Sequence, residues 1–216
     1  MNITINNQGF NILQLVNDLK PVKPLNAKPT LLVLLAIAAF ALIAISFVRA
    51  PRVDLLAGQP TAMFLMRAGM LALLGTATAF SVLSMTQPSV GKHSNSWQIA
   101  LAFAAIFPVG GMIAVMTGDN TLSVASTASV YRCLSYGSIT ALATSIPMIY
   151  ALRRGAPTNP NLAGWLTGLA AGGMGGFTYS FYCPFDSLAY TGVWFTLVVG
   201  MASIAGRLFV PRLIRW

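Results

Sequence analysis

Along the chain, long apolar runs alternate with short polar breaks. Six runs have roughly the 20 residues that a helix needs to cross a lipid bilayer. They are Thr30–Val48, Thr61–Met85, Ile99–Met116, Leu134–Leu152, Leu162–Phe181 and Thr191–Leu208. The breaks between them are too short for a water-soluble domain. The pattern predicts an all-α integral membrane protein with six transmembrane helices. Residues 1–29 form an N-terminal segment and residues 30–216 the six-helix domain. No inverted repeat or low-complexity tract stands out.

The N-terminal segment has a different period. In LVNDLKPVKPL and the residues just before it, Ile12, Leu15, Val16 and Leu19 follow an i, i+3, i+4, i+7 spacing, one face of a helix. Asn11 suits an N-cap. Pro21 ends the helix, because the residue before proline is driven from the α region. Lys-Pro steps then continue the chain in an extended form. So short a helix is not stable alone in water and must bury its stripe on something. Two readings stand: an interfacial helix on the inner leaflet, drawn there by Lys20, Lys23 and Lys28, or a cytosolic segment that folds into the groove of a partner.

Composition supports a membrane protein. Of the 216 residues, 56% are hydrophobic and only 8% charged, where a soluble domain carries about 25% charged residues. The net charge of +9 does not imply nucleic acid, because the basic residues lie between the apolar runs, where they set orientation. With the N-terminus in the cytoplasm, the inner side holds Lys20, Lys23, Lys28, Lys92, Arg153, Arg154, Arg207, Arg212 and Arg215, against Arg49, Arg52 and Arg132 outside. Nine against three places both termini in the cytoplasm. Asp54, Asp119 and Asp186 then fall outside, and Asp18 inside. The first 29 residues lack the pattern of a cleaved signal peptide.

Candidate chemistry is sparse. The two cysteines, Cys133 at the start of the fourth run and Cys183 after the fifth, share the outer side, because those two runs are antiparallel. They are either small buried hydrophobes or a reactive pair, with Arg132 placed to lower the Cys133 thiol pKa and Asp186 opposing that at Cys183. A zinc-finger or thioredoxin-like site fails on cysteine count, and no metal or cofactor site is expected. Arg67 lies about 9 Å into the second run. It either snorkels to the outer interface or pairs with Asp54, Asp119 or Asp186. Gly164, Gly168, Gly172 and Gly176, with Gly173 and Gly175, suit close helix packing against the fourth or sixth run, or against a second copy. His93 reads as a solvated loop residue, on the wrong side to join the cysteines. Trp97, Tyr190 and Trp194 sit near run ends, where an aromatic belt belongs.

Four stretches carry a family resemblance. LVNDLKPVKPL, ALRRGAP (Ala151–Pro157), YCPFDS (Tyr182–Ser187) and the closing RLIRW occur in the order found in the NrsF family, the membrane anti-sigma factors named negative regulator of sigma F. The chain resembles that family over nearly its whole length, with the same number of apolar runs. Asp18, Leu19, Pro21 and Val22 match its N-terminal D-L-x-P-V step. The chain departs from it at Lys23 and Pro24, where the family usually has arginine, and a lysine point charge serves a partner carboxylate less well than an arginine fork.

The resemblance implies a non-enzymatic protein of the bacterial inner membrane. It would hold an extracytoplasmic-function sigma factor, a cytosolic partner, through Leu15, Asp18, Leu19, Pro21 and Val22, without contacting nucleic acid itself. It also implies that Cys133 and Cys183 sense thiol-reactive stress such as heavy metals or oxidants. A small transporter or channel, built around the fifth run and Arg67, is the alternative. It is weakened because no acid lies near the middle of any run. A membrane thiol oxidoreductase is a third, weakened because only one cysteine pair is present. Homo-oligomerisation through the glycines of the fifth run is a further expectation.

Overall fold

The computed structural model describes residues 27–86, 96–120, 122, 126–155, 157 and 159–214. The docking residues Leu15, Asp18, Leu19, Pro21 and Val22, together with His93, lie outside the described residues. Among the described residues every regular element is helical. The elements are α1 (Ala27–Val48), a single turn α2 (Val53–Leu56), α3 (Ala62–Ser84), α4 (Ser96–Met116), α5 (Thr127–Gly155) and α6 (Pro160–Ser180). A final helix, α7 (Leu188–Leu213), contains a π turn at Thr191–Phe195. The expected all-α architecture holds, and each of the six apolar runs lies on one long helix.

The helix ends follow local chemistry. Thr61 caps α3 by accepting a hydrogen bond from the Phe64 amide at 3.2 Å. Asn159 caps α6 at the Leu162 amide, with Pro160 in the first turn, where its missing N–H costs nothing. Gly58, with φ of 70°, and Gly118, with φ of 95°, turn the chain after α2 and α4 in a conformation other residues resist. α5 begins at Thr127, a full two turns before the expected Leu134. The added segment, TASVYRC, is too polar to extend the apolar run, yet it is helical.

The expectation of six transmembrane helices is met in part. Among the described residues, three helices are long and apolar enough to cross a membrane: Pro29–Val48, Ala62–Ser84 and Leu188–Leu213. α4 contributes a shorter apolar stretch, Ala105–Met116. α5 carries many hydroxyls and three arginines, and α6 is rich in glycine. α6 can be so small and weakly apolar because protein surrounds it. Sixteen of its 21 residues are buried, and it packs on α3, α5 and α7. α1 lies against α5 and α6, through a stripe that buries Leu34, Ala38 and Ile45. The opposite faces expose large apolar side chains, among them Phe40 and Phe47 on α1, Phe80 on α3, Met112 on α4, Ile146 on α5 and Phe209 on α7.

The glycines make the central contacts. A Cβ on Gly168 would lie 2.3 Å from the Ala202 carbonyl oxygen, and one on Gly175 would lie 2.2 Å from the Gly137 oxygen. On Gly173 it would meet the Gly75 backbone nitrogen at 2.8 Å. Three helices therefore approach α6 backbone to backbone, as the glycine spacing predicted. The same contacts correct the expectation of a homo-oligomer through this stripe. These glycines are buried against helices of their own chain and offer no surface to a second copy.

Buried hydroxyls in this core turn back on their own helices. Thr78, Thr144, Thr167, Thr178 and Ser203 each donate to the carbonyl four residues earlier. The exceptions gather at the π turn, where the Thr191 and Thr196 hydroxyls and Trp194 Nε1 are buried without a partner among the described residues.

Candidate functional site

Antiparallel helices bring the segments 49–61 and 181–187 and the end of α4 to one end of the bundle. The segment Phe181–Ser187 is the hub there, and almost every residue in it is held. The Tyr182 hydroxyl donates to the Leu42 carbonyl of α1. The Ser187 hydroxyl donates to Asp119 Oδ2, just past α4, at 2.6 Å, and accepts from the Tyr190 amide at 3.2 Å, so it also caps α7. Phe185 stacks on Tyr190 with ring centroids 4.6 Å apart.

Two arginines complete the hold. Arg52 grips the segment from the 49–61 side. Its amide donates to the Phe181 carbonyl at 3.2 Å, and its Nη1 donates to the Cys183 carbonyl at 3.1 Å. Both Nη atoms donate to the Asp186 carboxylate at 2.5 Å, while Nε and Nη2 hold Asp54 at 2.9 Å. The Thr61 hydroxyl adds a bond to Asp186 at 2.9 Å. Through these bonds and its charge, Arg52 keeps the Asp186 and Asp54 carboxyls below their ordinary value, and Asp186 in turn raises that of Arg52. The Arg52 guanidinium also lies over the Phe64 ring, 5.6 Å from its centroid.

Arg67 grips the same segment from inside the bundle. It is fully buried in α3. Nη1 donates to the Phe185 carbonyl at 2.6 Å and Nη2 to the Ser180 carbonyl at 3.2 Å. Its guanidinium lies 5.2 Å from the centroid of Phe195, in the π turn, and its Nε has no partner. Ser180 ends α6, so the cation meets a helix C-terminus, where free carbonyls and the helix dipole favour positive charge. Neither expectation for Arg67 holds. It does not reach water by snorkelling, and among the described residues it forms no ion pair. Asp54 and Asp186 are engaged by Arg52 instead, and Asp119 accepts from Ser187.

The two cysteines lie in the apolar core beneath this hub. Cys133, in the second turn of α5, is 1% exposed, and Cys183 is 0% exposed; both are free thiols in one apolar cluster. Cys183 lies near enough to Cys133 to act on it electrostatically, and the Tyr190 hydroxyl donates to the Ser129 carbonyl of α5 at 3.4 Å. The shared end of the bundle was expected, and the shared cluster is its consequence. The expected effect of Arg132 is not what the structure has: the charge that reaches both thiols is that of Arg67. Burial pushes the Cys183 thiol above its ordinary pKa, and Asp186 adds to this as expected. Burial keeps both thiols from solvent and disfavours the reactive thiolate. Among the described residues, no group of three or more His, Cys, Asp or Glu side chains is placed to hold a metal ion.

The cavities separate into two kinds. One of about 540 Å³ between α5, α6 and α7, and one of about 620 Å³ between α4 and α7, are walled by apolar side chains such as Ile146, Phe209, Met112 and Ile204. A polar cleft of about 600 Å³ opens at the hub, between Arg49, Arg52, Asp54 and Thr61 on one side and Tyr182 and Pro184 on the other. Its wall contains both neighbours of Cys183. Neither thiol lines any of these three.

Comparison with known proteins places these features in a family. The family model described as "Negative regulator of sigma F" matches residues 15–216. The match takes in LVNDLKPVKPL and both cysteines. The chain is 29% identical over 158 residues to the anti-sigma-F factor NrsF of Caulobacter vibrioides, covering 71% of this chain and 73% of that protein. It is 29% identical over 163 residues to the probable anti-sigma-F factor NrsF of Azospira oryzae, with the same coverage of each chain. No solved structure matches.

Proposed function

The chain belongs to the family of negative regulators of sigma F, and on that premise we propose that it is a membrane-bound anti-sigma factor without catalytic activity. It sequesters an extracytoplasmic-function sigma factor at the cytoplasmic face of the bacterial inner membrane and releases it when thiol-reactive stress reaches Cys133 and Cys183. The single observation that carries this is the family match over residues 15–216, which spans both ends of such a relay.

Physical features support the membrane half. Large apolar side chains cover the outward faces of α1, α3, α4, α5 and α7, a surface that water penalises and lipid accepts. In this reading all six long helices lie in the bilayer. α6 does so as the inner member, shielded by its neighbours. Both termini are cytoplasmic, as the distribution of basic residues requires, and the Cys183 hub faces the opposite side. Compartments beyond the inner membrane are oxidising, which suits a thiol sensor.

The docking half rests on the N-terminal stripe. Leu15, Leu19 and Val22 supply apolar area and Asp18 the one cytoplasmic acid to meet a basic sigma surface. Pro21, which disfavours continuation of a helix, completes the segment. A transporter gains no support from Arg67, whose donors are spent on two backbone carbonyls, or from the cavities between the long helices, whose walls are apolar.

Co-purification from native membranes, with and without residues 1–28, tests the assignment. A sigma factor retained by the full chain and lost from the truncation is the expected result; its absence from both overturns the proposal. Stress-induced release in the Cys133→Ser, Cys183→Ser double variant tests the sensing half separately, and a normal response would end it.

A further inference from the structure

We infer that Arg67 and Arg52 are the positioning residues of the thiol site: together they latch the segment Phe181–Ser187 over Cys183 and Cys133, and the thiols become reachable only when that segment lifts. This rests on the proposal that the cysteine pair is the sensor, and it specifies how access to the sensor is controlled.

The two arginines divide the segment between them. Arg52 takes the Phe181 and Cys183 carbonyls and Arg67 the Phe185 carbonyl, so both hold the same strip of backbone. Arg67 also holds Ser180, and its two bonds therefore straddle Cys183. Pro184 has no amide to donate, and the carbonyls carry the anchoring. With both sides engaged, the Cys183 side chain points into the apolar cluster that contains Cys133 and is closed to solvent.

The two grips differ in strength. The Arg52–Asp186 pair is partly exposed, with 28% of the Asp186 side chain accessible, and it borders the polar cleft. Water competes for it, so it is the grip that yields first. Arg67 is fully buried, and its bonds to the Ser180 and Phe185 carbonyls have no solvent competitor. Cys183 lies between two residues of the cleft wall along the chain, because Tyr182 and Pro184 both line the cleft. A small upward movement of the segment therefore brings the thiol to the cleft. It also removes Arg67 from the end of α6, the helix on which α3, α5 and α7 all pack. Opening the latch and disturbing the bundle are thus one event.

The test measures thiol access directly, on the full chain purified in detergent. Single-cysteine proteins, Cys133→Ser and Cys183→Ser, are labelled with a polyethylene glycol maleimide, and thermal unfolding is recorded alongside. Both parent proteins should label slowly. Asp186→Asn should label Cys183 about tenfold faster with only a small drop in melting temperature, because one partly exposed charge-assisted pair is lost from a local opening. Asp186→Glu, which keeps the carboxylate, should return the rate towards the parent. Arg67→Lys keeps the charge but cannot span two carbonyls, and should accelerate both thiols.

Parent-like labelling in folded Asp186→Asn and Arg67→Lys would overturn the inference. So would a parent Cys183 that labels as fast as an unfolded control. Asp186 is at the surface, so its variants keep the test open if the Arg67 variant fails to fold. The outcome is independent of sigma release. Should labelling follow the latch while the double serine variant still responds to stress, the latch stands and the sensing assignment falls.

Discussion

Two regions of this bundle are held by opposite means. Along α6, glycines bring backbones into contact, so the seam consists of van der Waals packing with no group that can be exchanged for water. At the hub, a seven-residue segment is held by two arginines, two carboxylates and hydroxyls, and on the Arg52 side water or a proton can replace the bonds. The seam tolerates no intermediate state, because closely packed backbones either fit or separate. The hub can open by degrees. A protein that must keep its fold while one end responds to its surroundings is served by that division. Substitutions should therefore destroy the first region and retune the second.

The largest expected effect is at the seam. Gly175→Ala places a Cβ 2.2 Å from the Gly137 oxygen, and Gly168→Ala places one 2.3 Å from the Ala202 oxygen. The obstacle in each case is backbone, which cannot rotate away, so each should cost about 3 kcal/mol or more. Thermal unfolding in detergent, followed by circular dichroism, would show the loss, with aggregation during purification as its extreme form. A parent-like transition in both variants would mean that α6 is not held by backbone contact.

Arg67→Met comes next. Met fills the space but leaves the Ser180 and Phe185 carbonyls without their donor, at about 1–3 kcal/mol for each buried group left unsatisfied. The cost is reduced because the orphan Nε and the buried charge disappear with the side chain. A melting temperature lowered less than in Gly175→Ala, with strongly increased thiol labelling, is the expected combination. It separates the two regions, because the seam variant should lose stability without a preference for the hub thiols.

These effects bear on what the amino-acid sequence discloses. The long helices could be read from apolar runs, because lipid and core both demand runs of that length; α3 differs from its run by a single residue at each end. The glycine seam could be read from the four-residue spacing, since only close helix contact rewards it. The common end of the two cysteines followed from antiparallel order. The role of Arg67 could not be read, because its partners are backbone carbonyls 113 and 118 positions away, and carbonyls have no sequence signature. Arg52 was hidden in the same way: its carboxylate Asp186 lies 134 positions on, and Asp54 beside it offers a nearer, sufficient-looking partner. The early start of α5, which carries Cys133 into the core, lay in residues too polar for an apolar run. The π turn beside Arg67 and its unpartnered hydroxyls left no pattern at all.

Acid should weaken the hub but not the seam. Arg52 holds Asp186 and Asp54 below the ordinary carboxylate value of 3.8. A depressed folded-state pKa contributes stability that is fully present above the unfolded value and is lost as pH falls through the folded one. The groups facing Asp186 are Arg52, Arg67 and the Thr61 hydroxyl. The parent should therefore keep a level melting temperature from neutrality to about pH 4 and lose stability below it. In Asp186→Asn that decline should be shallower. An equally steep decline in both would place the acid-sensitive groups elsewhere.

The smallest expected effect tests whether glycine matters for contact or only for composition. Gly69, in α3, and Gly200, in α7, have nothing within 4 Å of a built Cβ. Alanine at either position adds a methyl group to open space and removes the backbone entropy that glycine loses in a helix. A gain of about 0.5–1 kcal/mol is therefore expected. Set beside Gly175→Ala, the same chemical change should have opposite sign at two places in one bundle. Calorimetry of Gly69→Ala and Gly200→Ala decides this. If either is destabilising, that face meets a surface that the isolated chain does not provide, and glycine there serves an intermolecular contact in place of the internal seam.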